Sequence, residues 1–229
     1  MKNIITVQHT QAEHHVTKMV GGNTDWSLTE LGKEKAHNIG RNIKNLLKNK
    51  NGIMYSSDLL RAKQTAQILN EYLNLEIVYK QDLREINVGE SKGKSKEWYG
   101  QNCTPKENIP LIKYRAFPSA ETFEDVYNRT YAIVEEIVNN EYENNIVVGH
   151  GCALIMFFLQ WLKLPVSIME NTAFSMPAGS VSFYSIWENK RMLNNYNITS
   201  YMEDAKKQII VKQLKLHITK LLKKYLPRL

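Results

Sequence analysis

The chain has little cysteine and no long apolar run. Two cysteines among 229 residues, Cys103 and Cys152, are too few for a disulfide framework. A reducing compartment is the default for such a chain, so we expect a cytoplasmic protein. No run of about 18 apolar residues occurs, which argues against a membrane-spanning helix. The first residues, MKNIITVQHT, turn polar too early for a signal peptide.

Acidic side chains are absent from the last 25 residues. Residues 205–229 contain eight Lys or Arg and no Asp or Glu, whereas the whole chain has a net charge of +7, so residues 1–204 sum to −1. Apolar residues of this tail fall near one stripe, which predicts a basic amphipathic helix. Docking on the protein's own body, a homodimer contact, an acidic partner and a membrane surface remain open as its role. Nucleic acid is not expected, because aromatic residues do not alternate with the lysines.

Apolar runs alternate with helical patterns along residues 1–204. Strands are predicted at 3–7, 52–57, 75–79 and 145–151, helices at 27–50, 58–74, 120–142 and 152–162, and a terminal hairpin over 179–199. Residues 86–119, rich in Gly and Pro, are predicted to be an irregular covering segment. This alternation predicts an α/β fold, a three-layer α/β/α sandwich with a mainly parallel central sheet. We therefore expect one domain over residues 1–204, followed by the basic helix at 205–229.

Three of the six histidines lie within seven residues, in the stretch TVQHTQAEHH at 6–15. His9 follows the first predicted strand, and His150 ends a later one. Arg61 and Glu85 lie in SSDLLR and DLREINVGE, which follow the second and third strands. Ligands of parallel sheets bind outside the carboxyl ends of the strands, so these four side chains are expected to converge in one crevice.

Such a set of residues suits phosphoryl transfer. A neutral imidazole can attack phosphorus and carry the phosphoryl group, and an arginine fork can hold its oxygens. A second, protonated histidine adds positive charge where negative charge develops. A glutamic acid can protonate the leaving oxygen. Because side chains can supply the cations, neither a metal nor another cofactor is expected.

The order of several motifs resembles the histidine phosphatase superfamily, which includes the cofactor-dependent phosphoglycerate mutases. The resemblance covers about residues 2–200 and rests on QHTQAEHH, GGNTDWSLTELGKEKA, YSSDLLRAKQTA, LREINVGESKG, SAETFEDVYNR and VVGHGCALI. It implies a phosphoglycerate mutase-like sandwich and hydrolysis of a small phosphorylated metabolite. It also implies that His9 is the phosphorylated nucleophile, Arg61 and His150 phosphate ligands, and Glu85 the proton donor. Gly22, in the second motif, is counted among the substrate-binding residues.

The first motif departs from the family pattern. Where the family has Arg-His-Gly, this chain has Gln8-His9-Thr10, and Ala12 and His15 stand where the family often has Ser or Thr and Asn. A charged hydrogen bond contributes roughly 1.5–3 kcal/mol and a neutral one about 1. Loss of the arginine therefore predicts about a tenfold lower rate. Gln8 and His15 are assigned to substrate binding, and a protonated His15 would restore part of the missing charge.

Other interpretations remain open at this level. A mutase activity is one, although the family's mutases carry a longer insertion with Glu-Arg-His-Tyr-Gly where this chain has REINVGES. A catalytically weakened phosphatase-like binding protein is another, favoured by Gln8. His14 is expected to be a loop or surface histidine. His9, His14 and His15 could together ligate a transition metal, but their spacing is not a recognised zinc pattern. Cys152, among apolar neighbours, is expected to be inert.

Overall fold

The computed structural model describes residues 1–47, 49 and 51–204. Its strands are β1 (Lys2–Gln8), β2 (Gly52–Ser56), β3 (Glu76–Tyr79), β4 (Asn144–Gly149), β5 (Val181–Trp187) and β6 (Lys190–Ile198). Its helices are α1 (Glu13–Val16), α2 (Glu30–Lys44), α3 (Leu60–Leu73), α4 (Lys96–Asn102), α5 (Phe123–Asn139) and α6 (Gly151–Trp161). The basic helix predicted at 205–229 lies outside the described residues.

One six-stranded sheet runs through the domain, in the order β3-β2-β4-β1-β5-β6. The first four strands pair in parallel, whereas β5 pairs antiparallel with β1 and β6 antiparallel with β5. β1 and β4 are central neighbours, with Gln8 opposite Gly149 in their register. The residues that follow these two strands therefore emerge side by side at one edge of the sheet.

Two apolar layers cover the two faces of the sheet. Side chains alternate along a strand, so Ile4 packs with α5 and α6 on one face, whereas Ile5 and Val7 pack with α2 and α3 on the other. α6 is apolar nearly all round because it is covered on most sides, and Trp161 is among its fully buried residues. The predicted three-layer α/β/α sandwich with a mainly parallel sheet is confirmed.

Helix starts near the sheet's carboxyl edge are fixed by side-chain oxygens. Thr29 accepts a hydrogen bond from the Gly32 amide at 3.0 Å and so caps α2, a role that threonine commonly has at helix starts. The carboxylate of Asp25 accepts from the Leu60 amide at 2.8 Å and caps α3 from a separate loop. This long-range cap fixes the first turn of α3, which carries Arg61.

The segment 86–119 is less irregular than its composition predicts. It contains α4, which begins after Ser95, whose hydroxyl accepts from the Trp98 amide at 3.0 Å. A small apolar cluster of Phe117, Trp98 and their neighbours holds the segment together. Within the described residues, none of the helices combines the length and the apolar character that crossing a membrane requires.

Candidate active site

His9 is the first residue after β1, and its ring is buried, with 2% of the residue exposed. Its Nδ1 lies 2.8 Å from the Thr10 carbonyl oxygen, which can only accept. Its Nε2 lies 3.0 Å from the Nε–H of Arg61, which can only donate. The two partners therefore define one neutral tautomer, with the proton on Nδ1 and a lone pair on Nε2.

The surroundings of His9 disfavour a second proton. Burial, then the positive charge of Arg61, lower the pKa of His9 well below its ordinary value, and His15 and His14 act in the same direction. The loop after His9 is held rigidly, because the Thr10 hydroxyl donates to the Gly32 carbonyl at 2.7 Å. At neutral pH, Nε2 of His9 is thus an unprotonated, fixed nitrogen.

Arg61 lies in the first turn of α3 and is 1% exposed. Its terminal nitrogens donate to the backbone carbonyls of Gly22 and Thr24, each at 2.6 Å. Burial lowers the pKa of the guanidinium to about 10, while Glu85 and Asp25 oppose that shift. Arg61 is therefore charged at neutral pH and held rigidly, with its Nε directed at His9.

Gly22 acts through Arg61 in this structure. Its φ is +43°, and a Cβ at this position would lie 2.4 Å from a methyl carbon of Val88. A glycine is required there both by the backbone conformation and by this contact. Its carbonyl oxygen holds Arg61, so the predicted substrate-binding residue helps to orient the guanidinium.

His150 follows β4 and is completely buried. Its ring centroid lies 5.1 Å from that of His9, and its Nε2 lies 2.8 Å from the Ser57 hydroxyl oxygen. Its Nδ1 has no hydrogen-bond partner among the described residues. Burial, then Arg61, lower the pKa of His150 well below its ordinary value. Sequence reasoning missed Ser57, although it lies within the SSDLLR motif.

Glu85 and Gln8 lie on either side of the start of α6. The Glu85 carboxylate accepts from the Cys152 amide at 3.2 Å and from the Ile86 amide at 2.9 Å. A Cβ on Gly151 would lie 3.5 Å from the Gln8 amide oxygen and 3.7 Å from a Glu85 carboxylate oxygen. The absence of a side chain at Gly151 therefore leaves a small space that borders both the Gln8 amide and the Glu85 carboxylate.

Gln8 is 7% exposed, and its side-chain oxygen has no partner among the described residues. Burying a polar atom without a partner is costly, so this oxygen is available to accept a hydrogen bond from a bound molecule. The side chain stands at the carboxyl end of β1, directly before His9.

His15 and His14 lie on α1 beside His9. The ring of His15 is nearly parallel to that of His9, 11° apart with centroids separated by 5.6 Å, and its Nδ1 accepts from the Ala12 amide at 3.1 Å. Partial burial of the ring, then Arg61 and Lys96, lower the pKa of His15. In the free protein these effects work against His15 as a protonated replacement for the missing arginine.

His14 is buried, which corrects its expected placement at the surface. The residue is 7% exposed, and its Nδ1 has no partner among the described residues. The ring fits because residue 21 is glycine: a Cβ there would lie 2.8 Å from Nε2 of His14. Burial, then His15 and Arg61, lower its pKa to about 3. The helical position alone did not reveal that Gly21 and Trp26 cover this ring.

Two cavities adjoin this cluster of side chains. The larger, about 670 Å³, begins at Gly151 and Cys152 and is mainly apolar; Leu111, Phe123, Ile155, Met156, Met169 and Phe174 are among its lining residues. The smaller, about 260 Å³, is polar; it is lined by Asn23, Gln81, Asp82, Arg84, Glu85, Asn87, Glu121 and Arg129. The larger is lined by Gly151 and the smaller by Glu85, so a molecule bound among the site residues would have room for a further group.

The surroundings of the Cys152 thiol disfavour its ionisation. Burial, then the negative charge of Glu85, raise its pKa well above the ordinary value. A thiolate is therefore disfavoured, as the apolar neighbours of Cys152 in the sequence predict.

Comparison with known proteins identifies the family. The family model of the histidine phosphatase superfamily (branch 1) matches residues 4–199. The chain belongs to this superfamily, and the resemblance inferred from its motifs is confirmed.

Individual relatives and solved structures agree with this assignment. "Uncharacterized phosphatase PhoE" of Bacillus subtilis is 26% identical over 204 residues, covering 88% of this chain and 97% of that protein. "Putative phosphoserine phosphatase 2" of Hydrogenobacter thermophilus is 30% identical over 160 residues, covering 67% and 75%. The structure of Bacillus stearothermophilus YhfR superposes with a TM-score of 0.76 at 23% identity, covering 89% of this chain and all of that one. This last similarity shows the fold, and the family match supports a phosphatase that uses a phosphohistidine.

Proposed function

We propose that the chain is a phosphomonoester hydrolase in which Nε2 of His9 forms a phosphohistidine intermediate. The observation that carries this proposal is the fixed tautomer of His9. Thr10 holds the proton on Nδ1, and Arg61 faces the Nε2 lone pair. A nucleophile needs that lone pair unprotonated at working pH, and the buried, positively charged surroundings keep it so.

The reaction would proceed in two displacements. In the first, Nε2 of His9 bonds to phosphorus, the bond from phosphorus to the ester oxygen breaks, and protonated Glu85 donates its proton to that oxygen. In the second, the Glu85 carboxylate takes a proton from water, the water oxygen bonds to phosphorus, and the P–N bond breaks. Inorganic phosphate leaves, and His9 and Glu85 return to their initial states.

Arg61 and His150 would bind the phosphoryl oxygens. On binding, the Nε–H of Arg61 would move from His9 to a phosphoryl oxygen, which frees the Nε2 lone pair for attack. The hydrogen bonds that Arg61 donates to the Gly22 and Thr24 carbonyls keep the guanidinium in place during this exchange. Positioned donors that need no rearrangement stabilise developing charge most effectively. Gln8 and His15 would complete the pocket as further donors.

A small phosphorylated metabolite fits the site best. The cavity beside Gly151 has a volume of about 670 Å³, within the size range of small-molecule pockets, and the polar cavity beside Glu85 adds about 260 Å³. The small number of cysteines supports a cytoplasmic location. The proposed partner of the basic tail is an acidic protein or a second copy of the chain. The proposed substrate of the site is a small phosphorylated compound.

A weakened, phosphate-binding role is the second candidate, and Gln8 in place of arginine favours it. The test is inorganic phosphate release by the full-length protein from a panel of phosphorylated metabolites, with 3-phosphoglycerate isomerisation assayed in parallel. Hydrolysis that is lost in His9→Ala and kept in His37→Ala supports the hydrolase; His37 pairs with Tyr72, away from the pocket. Isomerisation without phosphate release would identify a mutase. Phosphate binding without any turnover would identify the binding protein.

A further inference from the structure

Three imidazoles surround one point at the end of β1. One potential ligand nitrogen from each of His9, His14 and His15 lies within 4.8 Å of the others. The His14 and His15 ring centroids are 3.9 Å apart. Nitrogens around a tetrahedral zinc ion are about 3.3 Å apart, given bonds of about 2.0–2.1 Å. Modest side-chain rotations would therefore bring the three nitrogens to coordination distance.

The nitrogens of this cluster are suited to a metal in their present states. Nε2 of His9 has a lone pair, because its proton is on Nδ1. Nδ1 of His14 is buried and has no partner among the described residues. Such an atom in a native fold calls for an explanation, and a role as a ligand atom is one.

We propose that His9, His14 and His15 bind a borderline transition-metal dication such as Zn²⁺ or Co²⁺, and that this ion inhibits the phosphatase reversibly. The inhibitory part rests on the proposed function, because the ion would occupy the Nε2 lone pair that attacks phosphorus. Inhibition is then competitive with the phosphomonoester.

The neighbouring charges determine how tightly the ion is held. The Nε–H of Arg61 lies 3.0 Å from Nε2 of His9 and must give way to the ion. The Ala12 amide likewise donates to Nδ1 of His15, and this bond is lost if the ion takes that nitrogen. Arg61 and Lys96 add positive charge nearby. These opposing contacts favour an exchangeable ion over a permanently bound one.

The test begins with Co²⁺ titration of the chelator-treated, full-length protein, followed by its visible absorption, with no substrate present. We expect one saturable site from which Zn²⁺ displaces Co²⁺. His14→Gln should weaken Co²⁺ binding by about tenfold or more, since even partners behind the ligands contribute 10–100-fold to affinity. His15→Asn, at an exposed position, should do the same and serves if His14→Gln fails to fold. His37→Gln is the matched histidine control, because His37 pairs with Tyr72 away from the cluster, and it should bind as the wild type does.

Activity is then measured with Zn²⁺ and with excess chelator. Zn²⁺ should raise the apparent KM, chelator should restore it, and His14→Gln should need about tenfold more Zn²⁺ for half inhibition. Co²⁺ binding that is unchanged in both His14→Gln and His15→Asn would overturn the site, and stimulation by Zn²⁺ would overturn the inhibition. Histidine-dependent Co²⁺ binding by a protein that hydrolyses nothing in chelator would support the site and refute the proposed hydrolase.

Discussion

Replacing Gln8 with arginine should increase phosphate affinity. The Gln8 side chain is buried beside His9. Its amide nitrogen, which can donate to a phosphoryl oxygen, would lie 3.7 Å from a Cβ at Gly151 and so borders the space over that residue. A neutral hydrogen bond to the phosphoryl group contributes about 1 kcal/mol and a charged one about 1.5–3. Gln8→Arg should therefore gain about 1–2 kcal/mol of binding, or roughly tenfold tighter phosphate.

The same substitution should destabilise the protein without phosphate. A second cation would stand near Arg61 and near the positive N-terminal end of α6, with Glu85 giving partial compensation. Saturating phosphate would offset this destabilisation. Because Gln8→Arg binds phosphate about tenfold more tightly than the wild type, its free energy of unfolding gains about 1.4 kcal/mol more from phosphate than that of the wild type. The change in the free energy of unfolding caused by Gln8→Arg should therefore depend on phosphate. This dependence distinguishes an effect on binding from simple damage to the fold.

The assay is the inhibition constant of inorganic phosphate against an aryl phosphate substrate, together with urea unfolding with and without phosphate. Gln8→Met, of similar size and without an amide, is the matched control. It should bind phosphate no more tightly than the wild type. If Gln8→Arg binds phosphate no better than Gln8→Met, the side chain at position 8 does not face the phosphoryl group, and the reasoning is refuted.

Further substitutions test other parts of the site. Arg61→Lys should lower kcat/KM by about 10², because a lysine cannot hold the Gly22 carbonyl and a phosphoryl oxygen with one planar fork; steady-state kinetics showing wild-type values would contradict this. Glu85→Gln should lower kcat/KM by about 10² for an alkyl phosphate but far less for p-nitrophenyl phosphate, whose leaving group needs no proton; equal losses would exclude Glu85 as the acid. Burial lowers the pKa of His14 to about 3, so below about pH 6.5 the unfolded chain binds the additional proton and stability falls with acid. After allowance for solvent screening, this linkage destabilises the fold at about pH 5 by on the order of 1 kcal/mol relative to neutral pH. Urea unfolding of His14→Gln in chelator should lack that component; an equal acid loss in both proteins would refute the assignment. Truncation after Asp204 should leave kcat largely intact, because all the proposed site residues precede it; a folded but inactive truncation would place the tail in the site.

Much of the architecture follows from short-range patterns in the sequence. The continuous apolar runs of β1 and β4 are typical of strands buried on both faces, and α5 has a regular apolar stripe. α4 was not predicted, because it is one short helix in a segment rich in Gly and Pro. Its packing depends on the contact of Trp98 with Phe117, which lies nineteen residues further along the chain.

The sequence likewise predicts part of the candidate site and leaves part of it open. The motifs indicate that His9 and His150 directly follow strands and that Arg61 and Glu85 lie in the segments after β2 and β3, and the structure has them there, because parallel strands bring their carboxyl ends together. The tautomer of His9 depends on the orientation of the Thr10 carbonyl and on the Arg61 hydrogen bond, and the residue types alone do not encode either. The burial of His14 likewise depends on side chains outside its helix.

The most direct test of the central claim is identification of the phosphorylated residue. The full-length protein, treated with chelator, is mixed with a phosphomonoester and quenched in alkali within the first turnover, and its peptides are sequenced by mass spectrometry. We expect an alkali-stable, acid-labile phosphate on His9, absent from His9→Ala and present in His37→Ala. Phosphate on any other residue, or undiminished turnover in His9→Ala, would contradict the account.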